Sequence, residues 1–280
     1  DCEVILHGFR EFGAPFIEQL CGMFAFALYD KNNNELWLGR DRLGIKPLFY
    51  TKSVNGIAFA SECKALFQFM GNKPELSDSG LAQYLQNQCC SGRETAIVGI
   101  DKVLPGELIR IDQALKFHST QYWHPVNIRT RQIDYAEAES EFDTLFTTVM
   151  RQHMRADVPF GLFLSGGVDS SILLAKLSQL HDKPIHTFSV GFPDTHISDE
   201  LPAAEKLAKS FQSQHTVLKP DANAMIMRLP YSIWCADELM RDNANLPTSL
   251  LAQTASQSLR VVFSGEGGDE VFAGYGRYAS

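Results

Sequence analysis

The stretch Leu164-Ser165-Gly166-Gly167-Val168-Asp169-Ser170-Ser171 decides the fold of the second half of this chain. Apolar runs flank it at residues 158–164 and 172–177, which predicts a strand, a tight turn and the start of a helix. Gly166 and Gly167 permit a sharp turn and a close approach to an anion, and free N–H groups at the helix start point at the same turn. Three hydroxyls add hydrogen-bond donors: Ser165, Ser170 and Ser171. We therefore predict a phosphate-binding turn; the alternative is an ordinary strand-to-helix turn with a serine cap.

Asp169 is the unusual member of this turn. A carboxylate beside a phosphate repels it unless a cation lies between them, so the turn implies Mg²⁺. The stretch lacks the Gly-x-x-x-x-Gly-Lys-Ser pattern of the Walker A loop.

A second glycine-rich loop, Ser264-Gly265-Glu266-Gly267-Gly268-Asp269-Glu270, follows the apolar residues 260–263. Oxygen ligands suit Mg²⁺, so Asp269 is predicted to join Asp169 in holding the ion. Backbone groups at Ser264 and Gly265 are candidate contacts to a nucleotide. The alternative is a solvated acidic turn without a ligand.

Strands and helices alternate through the second half of the chain. Apolar strands are predicted at residues 185–190, 215–218 and 260–263, with helices near 135–154, 199–211, 224–235 and 248–259 between and around them. This alternation predicts a doubly wound parallel sheet, whose ligands lie at the carboxyl ends of the strands. The loops after Leu164, Val190 and Phe263 should therefore converge. The Val190 backbone is then placed to hydrogen-bond an adenine edge, or Val190 is simply core.

The first half of the chain has an α+β pattern. We predict a short helix at residues 3–9, strands at 23–29, 35–39, 48–50, 57–60, 107–111 and 121–123, and a helix capped by Ser77 or Asp78. Residues 112–136 are polar without a sustained period, so the domain boundary is placed there.

Composition excludes several classes of function. The 280 residues are 45% hydrophobic, and 25 basic against 33 acidic residues give a net charge of −8, which argues against nucleic acid as a main partner. No apolar run reaches the roughly 20 residues of a membrane span. The six cysteines show no zinc spacing and no Cys-x-x-Cys, so free and mostly buried thiols in a reducing cytoplasm are expected, Cys2 included.

Taken together, the motifs resemble a known family. The string Ser-Gly-Gly-x-Asp-Ser is similar to the PP-loop of ATP pyrophosphatases. The whole chain resembles the glutamine-hydrolysing asparagine synthetases of the bacterial B type. The resemblance rests on residues 23–30, 39–50, 59–66, 104–106 and 122–123 for a glutaminase domain, and on 163–171 and 263–272 for a synthetase domain.

The resemblance implies a fold and a domain division. Residues 1–125 would be the C-terminal part of a type 2 glutamine amidotransferase domain, a truncated N-terminal-nucleophile glutaminase of αββα architecture. Residues 126–136 would be a linker. Residues 137–280 would begin an asparagine synthetase domain, a doubly wound parallel sheet of the adenine nucleotide alpha hydrolase-like, PP-loop type.

The resemblance also implies a two-step reaction on small-molecule substrates. Glutamine is hydrolysed in the first domain, and its ammonia passes through a tunnel to the second. There ATP and aspartate form β-aspartyl-AMP and pyrophosphate, and ammonia displaces AMP to give asparagine. ATP and Mg²⁺ are implied, as are a cytoplasmic location and a homodimer, without membrane or nucleic-acid partners.

Family site residues carry over one at a time. Asp1 falls where glutamine's α-amino group is held, and Glu266 where a carboxylate lies near the reacting ammonia. Asp169 and Asp269 match the Mg²⁺ pair. The remaining positions match ATP or pyrophosphate contacts: Leu164, Ser165, Gly166, Gly167, Ser170, Ser171, Val190, Ser264 and Gly265.

The sequence departs from the family pattern in three ways. The nucleophilic cysteine and its companion segments are expected upstream of Asp1, and the helical end of the synthetase domain is expected downstream, so the chain is read as a fragment that is inactive by itself. Leu239 stands where the family usually has proline. Its neighbours Asp237, Glu238 and Asp242 either orient an amino-acid substrate or favour a helix N-terminus.

Two other interpretations stay open. One is a related amidotransferase or β-lactam synthetase-like enzyme that acts on another carboxylate. The other is a non-enzymatic paralogue that keeps the fold for storage or regulation.

Overall fold

The computed structural model describes residues 2–54, 56–71, 73–192, 200–242 and 244–279. It divides into two compact units. The first contains Asp1–Arg131 and Ile233–Asp242, and the second contains Gln132–Ser232 and Asn243–Ser280. A single boundary in the polar region after residue 112 therefore does not describe the whole division into units, because a ten-residue segment from the second half of the chain belongs to the first unit.

The first unit contains two antiparallel sheets. One has the strand order β1-β2-β6-β7 and the other has β4-β3-β5. In chain order the strands are β1 (Ala25–Asp30), β2 (Glu35–Arg40), β3 (Phe49–Ser53), β4 (Gly56–Ala60), β5 (Ile100–Lys102), β6 (Glu107–Ile111) and β7 (Phe117–Gln121). Its described helices are α1 (Glu3–Phe12), α2 (Phe67–Met70) and α3 (Asp78–Asn87), with 3-10 turns at Ala14–Gln19, Cys63–Leu66 and Pro125–Asn127.

Side chains that alternate between the two faces of each strand build four layers. Leu38 and Ile109 of the first sheet pack against Tyr50 of the second, which forms the core between the sheets. On the outer face of the first sheet, Leu28 packs with the 3-10 turn that carries Phe16. The outer face of the second sheet is covered by residues that include Cys63 and Leu66. Successive side chains of a strand point to opposite faces, so each sheet fills two cores and the predicted αββα architecture is confirmed.

The second unit contains one parallel sheet. The strand order is β10-β9-β8-β11, and all three pairings are parallel. The strands are β8 (Phe160–Phe163), β9 (His186–Val190), β10 (Gln214–Leu218) and β11 (Val261–Phe263). The helices are α4 (Tyr135–His153), α5 (Val168–Leu180), α6 (Leu201–Ser210), α7 (Ala222–Ala236), α8 (Asn245–Ala255) and α9 (Gly268–Phe272), with a 3-10 turn at Gly276–Ala279.

Both faces of this sheet are covered. Leu162 of β8 packs with Leu174 and Leu177 of α5, all three fully buried. Phe188 of β9 packs with Leu251 of α8 in a separate cluster. Two clusters on opposite faces of a parallel sheet make the doubly wound arrangement that the alternation predicted.

Three expectations from the sequence are wrong in detail. The strand predicted at residues 121–123 is β7, which ends at Gln121 and begins at Phe117. The correct bounds of β7 were missed because the strand is mostly polar, and its position depends on pairing with β6. Strand β5 was not predicted, because three residues carry too little periodicity.

The cysteines are the third correction. All six are free, as expected, but Cys63 and Cys90 alone are buried. The other four are exposed: Cys2, Cys21, Cys89 and Cys235. Cys2 directly precedes α1, and none of the residues of that helix is buried. The apolar spacing at residues 3–9 therefore predicted the helix correctly but did not predict burial.

Over the described ranges, none of the helices combines the length and the apolar character needed to cross a bilayer.

Candidate functional site

A cavity of about 670 Å³ lies in the second unit at the carboxyl ends of β8, β9 and β11. The three loops predicted to converge line it together. Ten predicted site residues contribute to the lining: Leu164, Ser165, Gly167, Asp169, Ser170, Val190, Ser264, Gly265, Glu266 and Asp269. The strand order explains the convergence, because β8 lies between β9 and β11 in the sheet.

Gly166 shapes the first loop without lining the cavity. Its φ is +84°, and a Cβ there would lie 2.9 Å from the Ala204 nitrogen at the start of the neighbouring helix α6. Both the positive φ and the backbone contact exclude a side chain. Glycine at this position lets the turn lie directly against α6.

The serine hydroxyls hold the turn together internally. The hydroxyls of Ser170 and Ser171 donate to the Gly167 carbonyl oxygen at 3.2 and 2.6 Å. The Ser165 hydroxyl accepts from the Gly167 N–H at 3.2 Å. Gly167 is the N-cap of α5 and has no side chain to perform this role. The side chains predicted as phosphate donors therefore stabilise the turn, and Ser171 does not line the cavity.

The backbone of Leu164 is held by β9. Its N–H donates to the Phe188 carbonyl at 2.9 Å, and its carbonyl accepts a hydrogen bond from the buried Ser189 hydroxyl. At the end of β9, the Gly191 N–H donates to Leu218 of β10 at 2.9 Å. These bonds make the cavity wall between Leu164 and Val190 part of the sheet.

Asp169 lies against the second glycine-rich loop. A Cβ placed on Gly268 would lie 2.3 Å from Asp169 Oδ2, and one placed on Gly265 would lie 3.1 Å from Asp169 Cβ. Asp269, in the first turn of α9, lines the same cavity. The two aspartates come from loops a hundred residues apart in sequence, and the parallel sheet brings those loops together.

The cavity is strongly acidic. Its described lining residues include no Lys, Arg or His, whereas five carboxylates contribute: Asp169, Glu200, Glu266, Asp269 and Glu270. The described ranges contain no group of three or more His, Cys, Asp and Glu side chains arranged to hold a metal by themselves. A phosphate-bearing ligand would need a cation between itself and this wall.

Several lining residues were missed by sequence reasoning. Glu200 precedes α6, Thr248 lies in α8 and Tyr275 follows α9. The Tyr275 hydroxyl donates to Glu270 Oε1 at 2.7 Å. Glu270 belongs to the second glycine-rich loop, but the loop pattern predicts no role for it, and no local sequence pattern distinguishes Glu200.

Asp237 and Glu238 bind within the first unit. The Asp237 carboxylate accepts the N–H groups of Cys63 and Lys64, and it pairs with Lys64 Nζ at 3.0 Å. Glu238 pairs with the buried Lys102 at 2.9 Å. The predicted helix near Pro247 is α8, whose N-cap is Ala244, so both acids lie too far upstream to belong to its first turn. Their described partners are basic side chains and backbone donors of the first unit.

The motif at residues 40–46 is a scaffold of the first unit. The Arg40 guanidinium donates to the carbonyl oxygens of Lys46, Val103 and Gly44 at 2.7–2.8 Å. Burial lowers the pKa of Arg40 below its usual value. Asp41 is 1% exposed and accepts four backbone N–H groups. Asp1, the predicted glutamine contact, lies outside the described residues.

The second unit has a glycine-rich turn at the carboxyl edge of a doubly wound sheet, beside an acidic cavity. Together with the αββα unit that precedes it in sequence, this defines a two-unit protein that combines a glutamine amidotransferase fold with a PP-loop fold. The family comparisons agree: residues 141–280 match the asparagine synthase model, and residues 1–123 match the glutamine amidotransferase domain model. The chain belongs to the asparagine synthase family.

Curated relatives carry corresponding names. A putative asparagine synthetase [glutamine-hydrolyzing] of Mycobacterium tuberculosis (strain ATCC 25618 / H37Rv) is 35% identical over 286 residues. Asparagine synthetase [glutamine-hydrolyzing] 1 of Bacillus subtilis (strain 168) is 34% identical over 281 residues. Each alignment covers 99% of this chain and 43% of the relative, so the chain spans less than half the length of these proteins.

Solved structures resemble this chain only weakly. A glutamine-dependent NAD+ synthetase from Acinetobacter baumannii, in complex with ADP, aligns with 98% of this chain and 65% of its own length. Its TM-score is 0.35 and its identity is 12%.

Proposed function

We propose that this chain contributes to the ATP-dependent amidation of aspartate to asparagine, with glutamine as the source of ammonia. Membership of the asparagine synthase family supports the reaction class. The single structural observation that carries the proposal is the acidic cavity that the PP-loop and the second glycine-rich loop form together.

The cavity wall suits a Mg²⁺-bound pyrophosphate. Asp169 and Asp269 offer oxygen ligands, and two protein carboxylates with phosphate oxygens and waters form a usual Mg²⁺ environment. When bound, the ion would neutralise charge on the leaving pyrophosphate. The start of α5 would receive phosphate oxygens at its N-terminal N–H groups. The backbone at Leu164 and Val190 would contact the nucleotide, and that at Ser264 and Gly265 would do so from the opposite loop.

The proposed reaction has two covalent steps. A β-carboxylate oxygen of aspartate attacks the α-phosphorus of ATP, and the bond to pyrophosphate breaks. Ammonia then attacks the β-carbonyl carbon of the adenylate, and the bond to AMP breaks as the amide forms. Glu266 lines the cavity and would accept a proton from the attacking ammonia. The first unit would supply the ammonia, with Asp1 holding glutamine. We place this chemistry in the cytoplasm, which suits six unpaired thiols.

The test is Mg²⁺-dependent exchange between ATP and labelled pyrophosphate in the presence of aspartate, on the protein as its gene encodes it. Asp169→Asn should lower the exchange rate at least about 100-fold, because a charged ligand of the Mg²⁺ ion that neutralises the leaving pyrophosphate is lost. Asp182→Asn, at an exposed position after α5, is the matched control and should leave the rate unchanged.

Three outcomes would contradict the proposal. Retained exchange in Asp169→Asn would remove that residue from the metal site. Exchange with another carboxylic acid but not with aspartate would assign a different acceptor. Absence of any exchange in the unmodified protein would favour a non-enzymatic role.

A further inference from the structure

The chain reverses sharply after α9. Ala273 adopts a left-handed conformation with φ 55° and ψ 40°, which ends the helix. The Gly274 N–H then donates to the carbonyl oxygen of Asp269 at 2.9 Å. Residues 273–275, which we call the return turn, are thereby brought back over the start of the helix that carries the predicted metal ligand.

The return turn lies directly on the Asp269 side chain. A Cβ built on Gly274 would lie 2.0 Å from Asp269 Oδ1, 3.0 Å from its Cγ and 3.3 Å from its Cα. The φ of Gly274 is outside the positive range, so its backbone conformation does not itself require glycine. What excludes a side chain there is the carboxylate of Asp269, which occupies the space that a Cβ would take.

The next residue of the return turn contacts the neighbouring carboxylate. The Tyr275 hydroxyl donates a hydrogen bond to Glu270 Oε1 at 2.7 Å, and both side chains line the cavity. The return turn therefore contacts two consecutive acids of the second loop, Asp269 through a close backbone approach and Glu270 through a hydrogen bond.

We propose that Gly274 is a positioning residue, which fixes the orientation of the Asp269 carboxylate for a Mg²⁺–pyrophosphate ligand. This inference rests on the proposed function, since it needs Asp269 to be a ligand of the ion. Gly274→Ala would force the Asp269 carboxylate to rotate, because the new Cβ would lie 2.0 Å from Asp269 Oδ1, which is too close for non-bonded carbon and oxygen atoms. Supporting groups that orient a metal ligand typically contribute about 10- to 100-fold to metal affinity.

The experiment measures metal binding rather than turnover. Mn²⁺ replaces Mg²⁺, and free Mn²⁺ is followed by its electron paramagnetic resonance signal during titration of the ATP-loaded chain. Gly274→Ala should weaken Mn²⁺ binding about tenfold or more, while its circular dichroism spectrum stays that of the parent. Gly276→Ala is the matched control, because a Cβ there meets no atom within 4 Å, and it should bind Mn²⁺ like the parent.

A double substitution separates positioning from folding. In an Asp269→Ala background the carboxylate is gone, so adding Gly274→Ala should cause no further loss of Mn²⁺ affinity. If Gly274→Ala alone loses its circular dichroism spectrum, the double variant should regain it, because the competing side chain has been removed.

Each contrary outcome has its own meaning. Unchanged Mn²⁺ affinity in a folded Gly274→Ala variant would overturn the positioning role and leave the proposed function standing. The positioning role is overturned in the same way if the double variant fails to fold or loses further affinity. A parent chain that binds ATP but no Mn²⁺ with it would overturn the proposed metal site and this inference together.

Discussion

Asp41→Asn should destabilise the first unit severely. Asp41 follows strand β2 and is 1% exposed. Its Oδ1 accepts the N–H groups of Leu43 and Ile45 at 3.2 and 3.0 Å. Its Oδ2 accepts those of Phe24 and Lys46 at 3.2 and 3.0 Å. One carboxylate thus holds both the loop at residues 41–46 and the approach to β1.

The magnitude follows from the geometry. Asparagine has the same shape, but whichever way its amide faces, the NH₂ group meets two N–H donors and two hydrogen bonds are lost. A hydrogen bond to a charged group contributes about 1.5–3 kcal/mol, so the free energy of unfolding should fall by about 3–6 kcal/mol. For a unit of about 140 residues each kcal/mol lowers Tm by roughly 3–4 °C, so a loss of at least about 10 °C is expected.

The assay is differential scanning calorimetry of the chain, with amide hydrogen exchange read by mass spectrometry on peptides from residues 24–46. Exchange confined to those peptides and their partners would assign the lower transition to the first unit. Asp30→Asn is the matched control, because Asp30 accepts the Asn32 N–H at 2.9 Å in an exposed turn, where water can replace the lost interaction. A Tm of Asp41→Asn within 2 °C of the parent would refute the reasoning, since it would mean that the four donors are satisfied without the charge.

The remaining predictions concern one residue in each unit. Asp237→Asn keeps a residue that tolerates the left-handed φ of 63° but removes the charge. The local stability of residues 61–67 should fall by about 1.5–3 kcal/mol, so amide hydrogen exchange there should rise. Glu62→Gln, which removes the exposed second carboxylate beside Lys64, should change this exchange little, and equal effects of the two substitutions would contradict the prediction. Burial lowers the pKa of His215 below 6.5, so the folded state holds it neutral and its contribution to stability is lost as pH falls below about 6.5. Urea midpoints of the second unit between pH 7.5 and 5.5 should therefore decrease less in His215→Asn than in the parent, and parallel decreases would exclude His215 as the cause.

Local sequence determined much of the second unit. Glycines and serines between two apolar runs specify a strand, a turn and a helix within about 25 residues, because each choice depends on neighbours in the chain. The alternation of such segments also determined the parallel sheet. The position of the candidate cavity followed from that sheet, since parallel strands place their carboxyl ends at one edge.

Tertiary structure alone decided which polar groups meet. The pairing of Lys102 with Glu238 joins residues 136 apart in sequence, and that of Lys64 with Asp237 joins residues 173 apart. The local pattern at residues 237–242 holds no sign of these partners. A segment of the second half that belongs to the first unit could therefore not be foreseen.

The same contrast between local patterns and contacts distant in sequence applies to the candidate site. Asp169 and Asp269 were predicted as metal ligands from two glycine-rich loops, and that role stays a prediction, whereas the structure shows that both residues line one cavity. The approach of Gly268 to Asp169, and the return of Gly274 and Tyr275 over their acidic neighbours, depend on how packed elements fill space. The sequence by itself predicted the two glycine-rich loops and the edge of the sheet at which they meet. Only the tertiary structure decided how the carboxylates are oriented, because orientation depends on close contacts with atoms that no local pattern encodes.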